Sequence, residues 1–444
     1  MYHNNYQIHW LSVISFALAT LTSSPCLARD LGVKGMFEAR ESYDSNTNRT
    51  PDNKVSSWET KIAPTLAFDS KGANDSFLLN YSPSYNINHE NHTENINHYL
   101  SASEHAHSAS NWLLDLSEKY IQTDDAAENT DTALLNSTKL KRNRFSNNIA
   151  NLHSTVIFGP NTSLGLGYTN TILANDAEDQ ADYTRHESTA SYSWQISPPL
   201  QTSISYTYSF GDFDTLSTLT KQDLAQPQDI ETHTADISLG FSPTPHSKIS
   251  ASYQYNETNF IAHFDISNRE PYKVHSGNLR LDQVVTPTTS FGLFFGPSLV
   301  DRQNSEDEND YNYGFELHNK LQNGNLLLSG LGGVDQLYFN GTNDGLTIYW
   351  SAMSSLNYQL TEKLALAASA SVRHDKFIDQ QPKGRETNYH GSLELSYAWQ
   401  WLTASLAGQY YELKTDTVTA TDAGYNGYRF YCTLSASKEL MRWL

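Results

Sequence analysis

The stretch Ser203-Ile204-Ser205-Tyr206-Thr207-Tyr208-Ser209-Phe210 alternates small hydroxyl residues with apolar and aromatic ones. Successive side chains of an extended strand point to opposite faces, so this run makes a ribbon with one polar and one apolar face. The same period of two starts near Leu31 and recurs until about Lys438, in about 20 runs of roughly 12 residues with turn formers between them. No segment carries a convincing helical period. Such a series is the pattern of a transmembrane antiparallel up-and-down β-barrel, here expected to have about 20 strands, within a range of roughly 16 to 22.

The connections alternate in kind. Tight ones rich in turn formers, such as Gly159 to Asn161, Pro198 to Leu200, Pro243 to Ser247 and Gln322 to Asn325, alternate with longer acidic ones, such as Tyr43 to Ser56, Thr123 to Lys141, Asp212 to Gln228 and Asp301 to Asn309. In a barrel of this kind the short turns are periplasmic and the long loops extracellular, which places both termini at the periplasmic side. A soluble sandwich or a solenoid would not keep strands this uniform or connections this regularly short and long. No linker divides the chain, so residues 29–444 read as one barrel domain despite their number.

Residues 1–28 read as a signal peptide. Ile8 to Leu21 is largely apolar and too short for a spanning helix, and Cys26, Leu27 and Ala28 precede a cleavage point after Ala28. The leading segment has His3 and His9 in place of the usual Lys or Arg. Pro25 before Cys26 disfavours lipidation. Without the leader Cys432 is the sole cysteine, so no internal disulfide can hold the fold.

Residues 1–28 contain no charged side chain, so the whole net charge of −20 belongs to the remainder, with an isoelectric point near 5.1. That argues against nucleic acid, whose phosphates need a basic surface. A mean hydropathy of −0.55 is compatible with a barrel, because only alternate residues of each strand meet lipid.

The two phases of the alternation carry different chemistry. One holds Tyr192, Trp194 and Ile196, then Tyr311, Tyr313, Phe315 and Leu317, then Leu393, Leu395, Tyr397 and Trp399. The other holds pairs of opposite charge two residues apart: Glu38 with Arg40, Arg185 with Glu187, Arg280 with Asp282, and Arg373 with Asp375. Lys61, Asp115, Lys119, Asp236, Lys248, Glu316, Lys320, Glu394 and Arg429 continue it. An Arg or Lys facing lipid near the midplane costs roughly 2 to 4 kcal/mol, so this phase is expected to line the interior. Either these charges brace one another across the wall, or they line a water-filled path for a hydrophilic solute. Tyr349, Tyr411 and Tyr431 lie on the same phase and offer rings on which a sugar could stack. The connections Thr123 to Lys141 and Asp212 to Gln228 are candidates to narrow the path.

Other chemistry is weakly signalled. His186 and Ser188 share a face, but coincidence is expected in a chain so rich in both residues, and neither a nucleophile constellation nor a dinucleotide, phosphate-loop or zinc-protease motif stands out. Catalysis and cofactors are therefore not expected. His89, His92, His98, His105 and His107 concentrate in sequence and have the chemistry to bind a transition metal, but exposed loop histidines are the preferred reading, so no metal site is expected. The acidic runs Asp124, Asp125, Glu128, Asp131 and Asp301, Glu306, Asp307, Glu308, Asp310 suit a divalent cation or plain solvation.

The chain resembles the outer-membrane β-barrel porin family associated with exopolysaccharide and exosortase (PEP-CTERM) gene clusters of Gram-negative bacteria. The resemblance rests on Glu41, Tyr43, Asp44, Ser45 and Asn46 after the first strand, on Ile62, Ala63, Pro64 and Leu66 in the second, and on turn units such as Phe241, Ser242, Pro243, Thr244. It implies an outer-membrane component of polysaccharide export or display, with outer-membrane lipid, lipopolysaccharide, polysaccharide and export machinery as partners. It implies no catalytic residues. The chain departs from many such barrels in running past Tyr428, Phe430, Cys432 and Leu434 to Trp443 and Leu444 instead of ending on a terminal aromatic residue. The leader makes the first prediction: N-terminal sequencing of the protein from a membrane fraction reads Arg29 first, and a retained Met1 would contradict the assignment.

Overall fold

The computed structural model describes residues 29–443 except 109–110, 126–143, 177–180, 215–227, 262–268, 338–344, 379–383 and 417–423. The expected leader lies outside the described residues. A single sheet of twenty antiparallel strands closes on itself. The strands are β1 Asp30–Asp44, β2 Ser57–Lys71, β3 Asp75–Asn88, β4 Thr93–Ser108, β5 Trp112–Thr123, β6 Phe145–Ile157, β7 Thr162–Asn175, β8 Tyr183–Ser197, β9 Leu200–Phe213 and β10 Asp229–Thr244. They continue as β11 Ser247–Ile261, β12 Tyr272–Thr286, β13 Thr289–Arg302, β14 Glu308–Leu321, β15 Gly324–Leu337, β16 Gly345–Gln359, β17 Leu364–Phe377, β18 Arg385–Trp399, β19 Leu402–Thr415 and β20 Tyr425–Trp443.

Each strand pairs with its sequence neighbours, and β1 closes the wall against β20 from Leu31 opposite Trp443 to Asp44 opposite Arg429. At this seam Arg442 meets both Asp30 oxygens, at 2.8 and 2.9 Å. Following directly opposed residues once around the wall returns to β1 displaced by roughly 24 residues, which for twenty strands means a tilt of about 40° and a backbone radius of about 19 Å. A tilted bilayer crossing needs only about 9 to 11 residues, so strands such as β4, with 16, project beyond the apolar band at their long-connection ends.

The ladder is broken where its chemistry requires. Pro64 pairs with Phe37 on one side and Pro83 with His98 on the other, and between them the pairing of β2 with β3 lapses from Ile62–Tyr85 to Leu66–Tyr81. Neither proline has an N–H to give, so placing them against each other confines the loss to one gap. The Thr65 hydroxyl donates to Ser82 across that gap at 2.7 Å.

The aromatic phase lies on the convex face. Tyr192, Trp194 and Ile196 are exposed, as are Tyr311, Tyr313 and Phe315, and Leu393, Leu395, Tyr397 and Trp399. The other phase is concave, as contacts between non-adjacent strands show: Arg302 on β13 donates to the carbonyl of Ile378, just past β17, at 2.9 Å, and only a chord through the interior joins these points. The phases make a direct test. Leu406, 62% exposed on the convex face, becoming Arg should destabilise the barrel by roughly 2 to 4 kcal/mol in vesicle-based urea unfolding. Ala407→Arg, one residue on and opposite Glu394, should leave stability within about 0.5 kcal/mol; equal losses would refute the phase assignment.

Candidate functional site: the barrel interior

All the charged residues expected on the inner phase lie on it, from Glu38 and Arg40 on β1 to Arg429 on β20. The structure joins some of them into networks wider than the i, i+2 pairs. Arg280 Nε donates to Asp282 at 2.8 Å, and its Nη2 reaches over β13 to Glu316 on β14 at 2.6 Å. Gly292 makes that crossing feasible, since a Cβ there would sit 2.8 Å from Arg280 Nη2. Arg373 likewise holds Asp375 at 2.9 Å and, across β16, Asp335 at 2.7 Å, with its guanidinium 4.3 Å from the centre of the Tyr349 ring.

Other members have local partners. Arg185 pairs with Glu187 and donates to Ser209 at 2.9 Å. Asp115 pairs with His105, Asp236 accepts from Gln254 at 2.9 Å, and Arg40 lies 5.3 Å from the Tyr431 ring centre. Lys61 and Lys119 face the interior on β2 and β5. Glu38 and Arg40 share a face but form no pair with each other, and Glu38, Lys248, Lys320 and Glu394 have no ion-pair partner among the described residues. These groups are half solvated, so each pair contributes roughly 0 to 1 kcal/mol. The interior here is a polar surface of nearly balanced sign.

The long-connection end is different, and it corrects the expectation of an inner phase that is polar throughout. Phe145, Leu173, Tyr183, Phe213, Ile230, Val274 and Val300 also point inward, each near the long-connection end of its strand, and pack into one buried cluster. Gly345, at φ +93°, turns the start of β16 so that Leu346 joins them. Leu346 is 0% exposed, and Ile230, Val300 and Ile378 are each 1% exposed. Ile378 N–H donates to the Leu346 carbonyl at 3.0 Å, and Gln336 on β15 reaches Asn256 on β11 at 2.6 Å. Inner side chains above the lipid band gain by burial against one another whenever strand ends bend together, and a water-filled mouth would leave them wet. Next to this cluster, burial pushes the Asp182 carboxyl above its ordinary range, an effect opposed by the Asn175 N–H it accepts at 2.7 Å.

The opposite side of the mouth is latched by charge. Arg429 donates to Asp44 at 2.5 Å and to Asp125 at 2.9 Å, and Arg49 lies 3.8 Å from Asp125. Asp125 follows β5, five strands from β20, so this contact also spans the opening. It is the described part of the connection expected to narrow the path; 126–143, with Glu128 and Asp131, and 215–227 lie outside the described residues. Tyr411 donates to Asp44 at 2.6 Å and is only 8% exposed, so its ring is closed to a sugar in this state. Tyr349 and Tyr431 are covered in part by Arg373 and Arg40.

The remaining sequence candidates come apart. His98 faces outward, His105 and His107 face inward near the short-turn end, and His89 and His92 lie at the long-connection end. No group of three metal-binding side chains occurs among the described residues. His186 and Ser188 both face outward, toward lipid. Sequence reasoning missed Asp44 and Asp335 as charge partners and the apolar cluster; the signal was a bulky apolar residue on the polar phase beside several of the long connections, as at Phe145, Phe213, Ile230 and Val300.

No family model and no curated protein matches the chain. Among solved structures it is similar to the ferric citrate transporter FecA in its unliganded form, at 11% identity and a TM-score of 0.54, over 94% of this chain and 80% of that one. It is also similar to a mutant of the ferric enterobactin receptor PfeA from Pseudomonas aeruginosa, at 9% identity and 0.52, over 92% and 80%. A third is the siderophore receptor PirA from Acinetobacter baumannii, at 9% and 0.50, over 92% and 80%. At these identities the likeness establishes the barrel fold. The networks themselves predict an asymmetry: Arg373→Gln strands the nearly buried Asp375 and should cost roughly 1 to 3 kcal/mol in urea unfolding, against under about 0.5 kcal/mol for Lys320→Gln.

Proposed function

We propose that the protein is an outer-membrane channel for a hydrophilic solute of little net charge, closed at its long-connection end in the resting state. The observation that carries this reading is the contrast along the interior: a wide, solvated wall of balanced Arg, Lys, Asp and Glu ends in a dry apolar cluster. Bracing alone needs no interior of that width, and a permanently open pore needs no seal. A balanced wall favours neither sign of ion. Stretches of exopolysaccharide, polar and weakly charged, fit it, with the Arg-covered rings of Tyr349 and Tyr431 as stacking surfaces once the guanidinium groups move. In this reading the short turns are periplasmic and the long acidic connections extracellular.

A second reading is a non-conducting barrel that binds surface polymer or cations through its acidic loops, and the closed mouth is the observation in its favour. Planar-bilayer recording separates the two. The wild type should pass little current. Phe213→Ser combined with Leu346→Ser wets the seal and should raise conductance severalfold, with added polysaccharide blocking the current. Current that stays at baseline in the folded double variant would sink the channel reading.

A further inference from the structure

The convex face departs most clearly from uniformity in its five histidines, whose placement repeats. Among the described residues, every histidine on the outward face of a strand lies at one level: His98 on β4, His186 on β8, His233 on β10, His275 on β12 and His374 on β17. Each stands about ten residues from the short-turn end of its strand, the length that carries a tilted strand across a bilayer. They therefore mark the far edge of the apolar band.

Four of the five are held in the same way. On the strand before each lies an outward tyrosine whose hydroxyl rises to the histidine Nδ1: Tyr81 to His98 at 3.1 Å, and Tyr168 to His186, Tyr206 to His233 and Tyr253 to His275, each at 2.7 Å. His374 stacks on Trp350 with ring centres 5.9 Å apart and meets the Thr387 hydroxyl at 2.8 Å through Nδ1. With the phenol donating, Nδ1 is the acceptor, and the one proton of a neutral imidazole sits on Nε2. The girdle then presents a row of Nε2–H donors at a fixed height.

We propose that this girdle binds the phosphate-bearing headgroup of the glycolipid in the surrounding outer leaflet. The inference rests on the outer-membrane location given above. Nε2–H donors at the interface meet phosphate oxygens at the depth where those oxygens lie. The acidic groups facing the same zone are also anchored by tyrosines: Glu94 by Tyr85, Glu231 by Tyr208, Glu257 by Tyr255 and Glu412 by Tyr410. Glu231 comes within 3.6 Å of His233 Nε2, and Lys273 lies 3.9 Å from Glu257. These carboxylates would repel a bare phosphate, so the headgroup is bound with its divalent counterion in place.

The test uses the folded full-length barrel in detergent with magnesium, and measures affinity for phosphorylated lipid A, for dephosphorylated lipid A and for inorganic phosphate. The wild type should prefer phosphorylated to dephosphorylated lipid A by about fivefold or more, and inorganic phosphate alone should neither bind nor compete. The combined variant His98→Leu, His186→Leu, His233→Leu, His275→Leu should lose that preference, while the corresponding Gln variant, which keeps a donor, should retain part of it. If the Leu variant does not fold, as read by its migration on unheated gels, the four Tyr→Phe changes at Tyr81, Tyr168, Tyr206 and Tyr253 free the tautomer and should weaken the preference. A wild type without preference, or an unchanged preference in the folded Leu variant, would overturn the inference. Either result would leave the channel reading to its own conductance test.

Discussion

Hydrocarbon offers no hydrogen bond to a peptide group, and this constraint shapes everything else in the molecule. No helix among the described residues is long and apolar enough to cross a membrane, so the strands can cross a bilayer only if each is paired on both sides, which requires the first to find the last. The pairing of β1 with β20 meets that demand over fourteen opposed positions, from Leu31–Trp443 to Asp44–Arg429. The extended terminal strand that sets this chain apart in sequence thus has a purpose, because Met441, Arg442 and Trp443 complete the seam. The tolerated break is equally telling: two prolines without N–H groups face each other, so the lost bonds fall in one place.

Once the wall is closed, its two faces answer to different solvents. The convex face must be apolar only over the lipid band, and it ends in tyrosines and histidines. The concave face is free of lipid along its whole length, so what it carries is set by what fills the interior. Through the middle the side chains are charged, partly exposed, and cross-linked over three strands by Arg280 and Arg373. At the long-connection end the strands bring Phe213, Ile230, Val300 and Leu346 within reach of one another, and burial replaces solvation. Arg429, bound to Asp44 and Asp125, closes the other side.

Much of this was legible in the amino-acid order. The alternation gave the strands, the spacing of turn formers gave their number, and pairs such as Arg280 with Asp282 told which phase is inside. What stayed hidden were contacts between strands far apart in sequence. Nothing near Arg429 announces Asp125, and nothing near Arg373 announces Asp335, because barrel curvature and stagger decide which rungs meet. The seal was hidden for a different reason: one Phe or Ile on a polar phase looks like noise until seven of them arrive at one level. The candidate metal histidines failed on the same ground that made the girdle visible, since neighbours in sequence on a strand are separated by face and height.

The central claim is that one phase meets water, the other meets lipid, and the wet phase ends at an apolar seal. Single cysteines in a Cys432→Ser background, placed at Phe315, Glu316 and Ile230 and reacted with a small water-soluble maleimide in vesicles, test it most directly. The account predicts fast labelling at Glu316, protection by lipid at Phe315, and protection at Ile230 that vanishes when Leu346 is changed to Ser. Equal labelling at Phe315 and Glu316, or fast labelling at Ile230 with Leu346 intact, would contradict it.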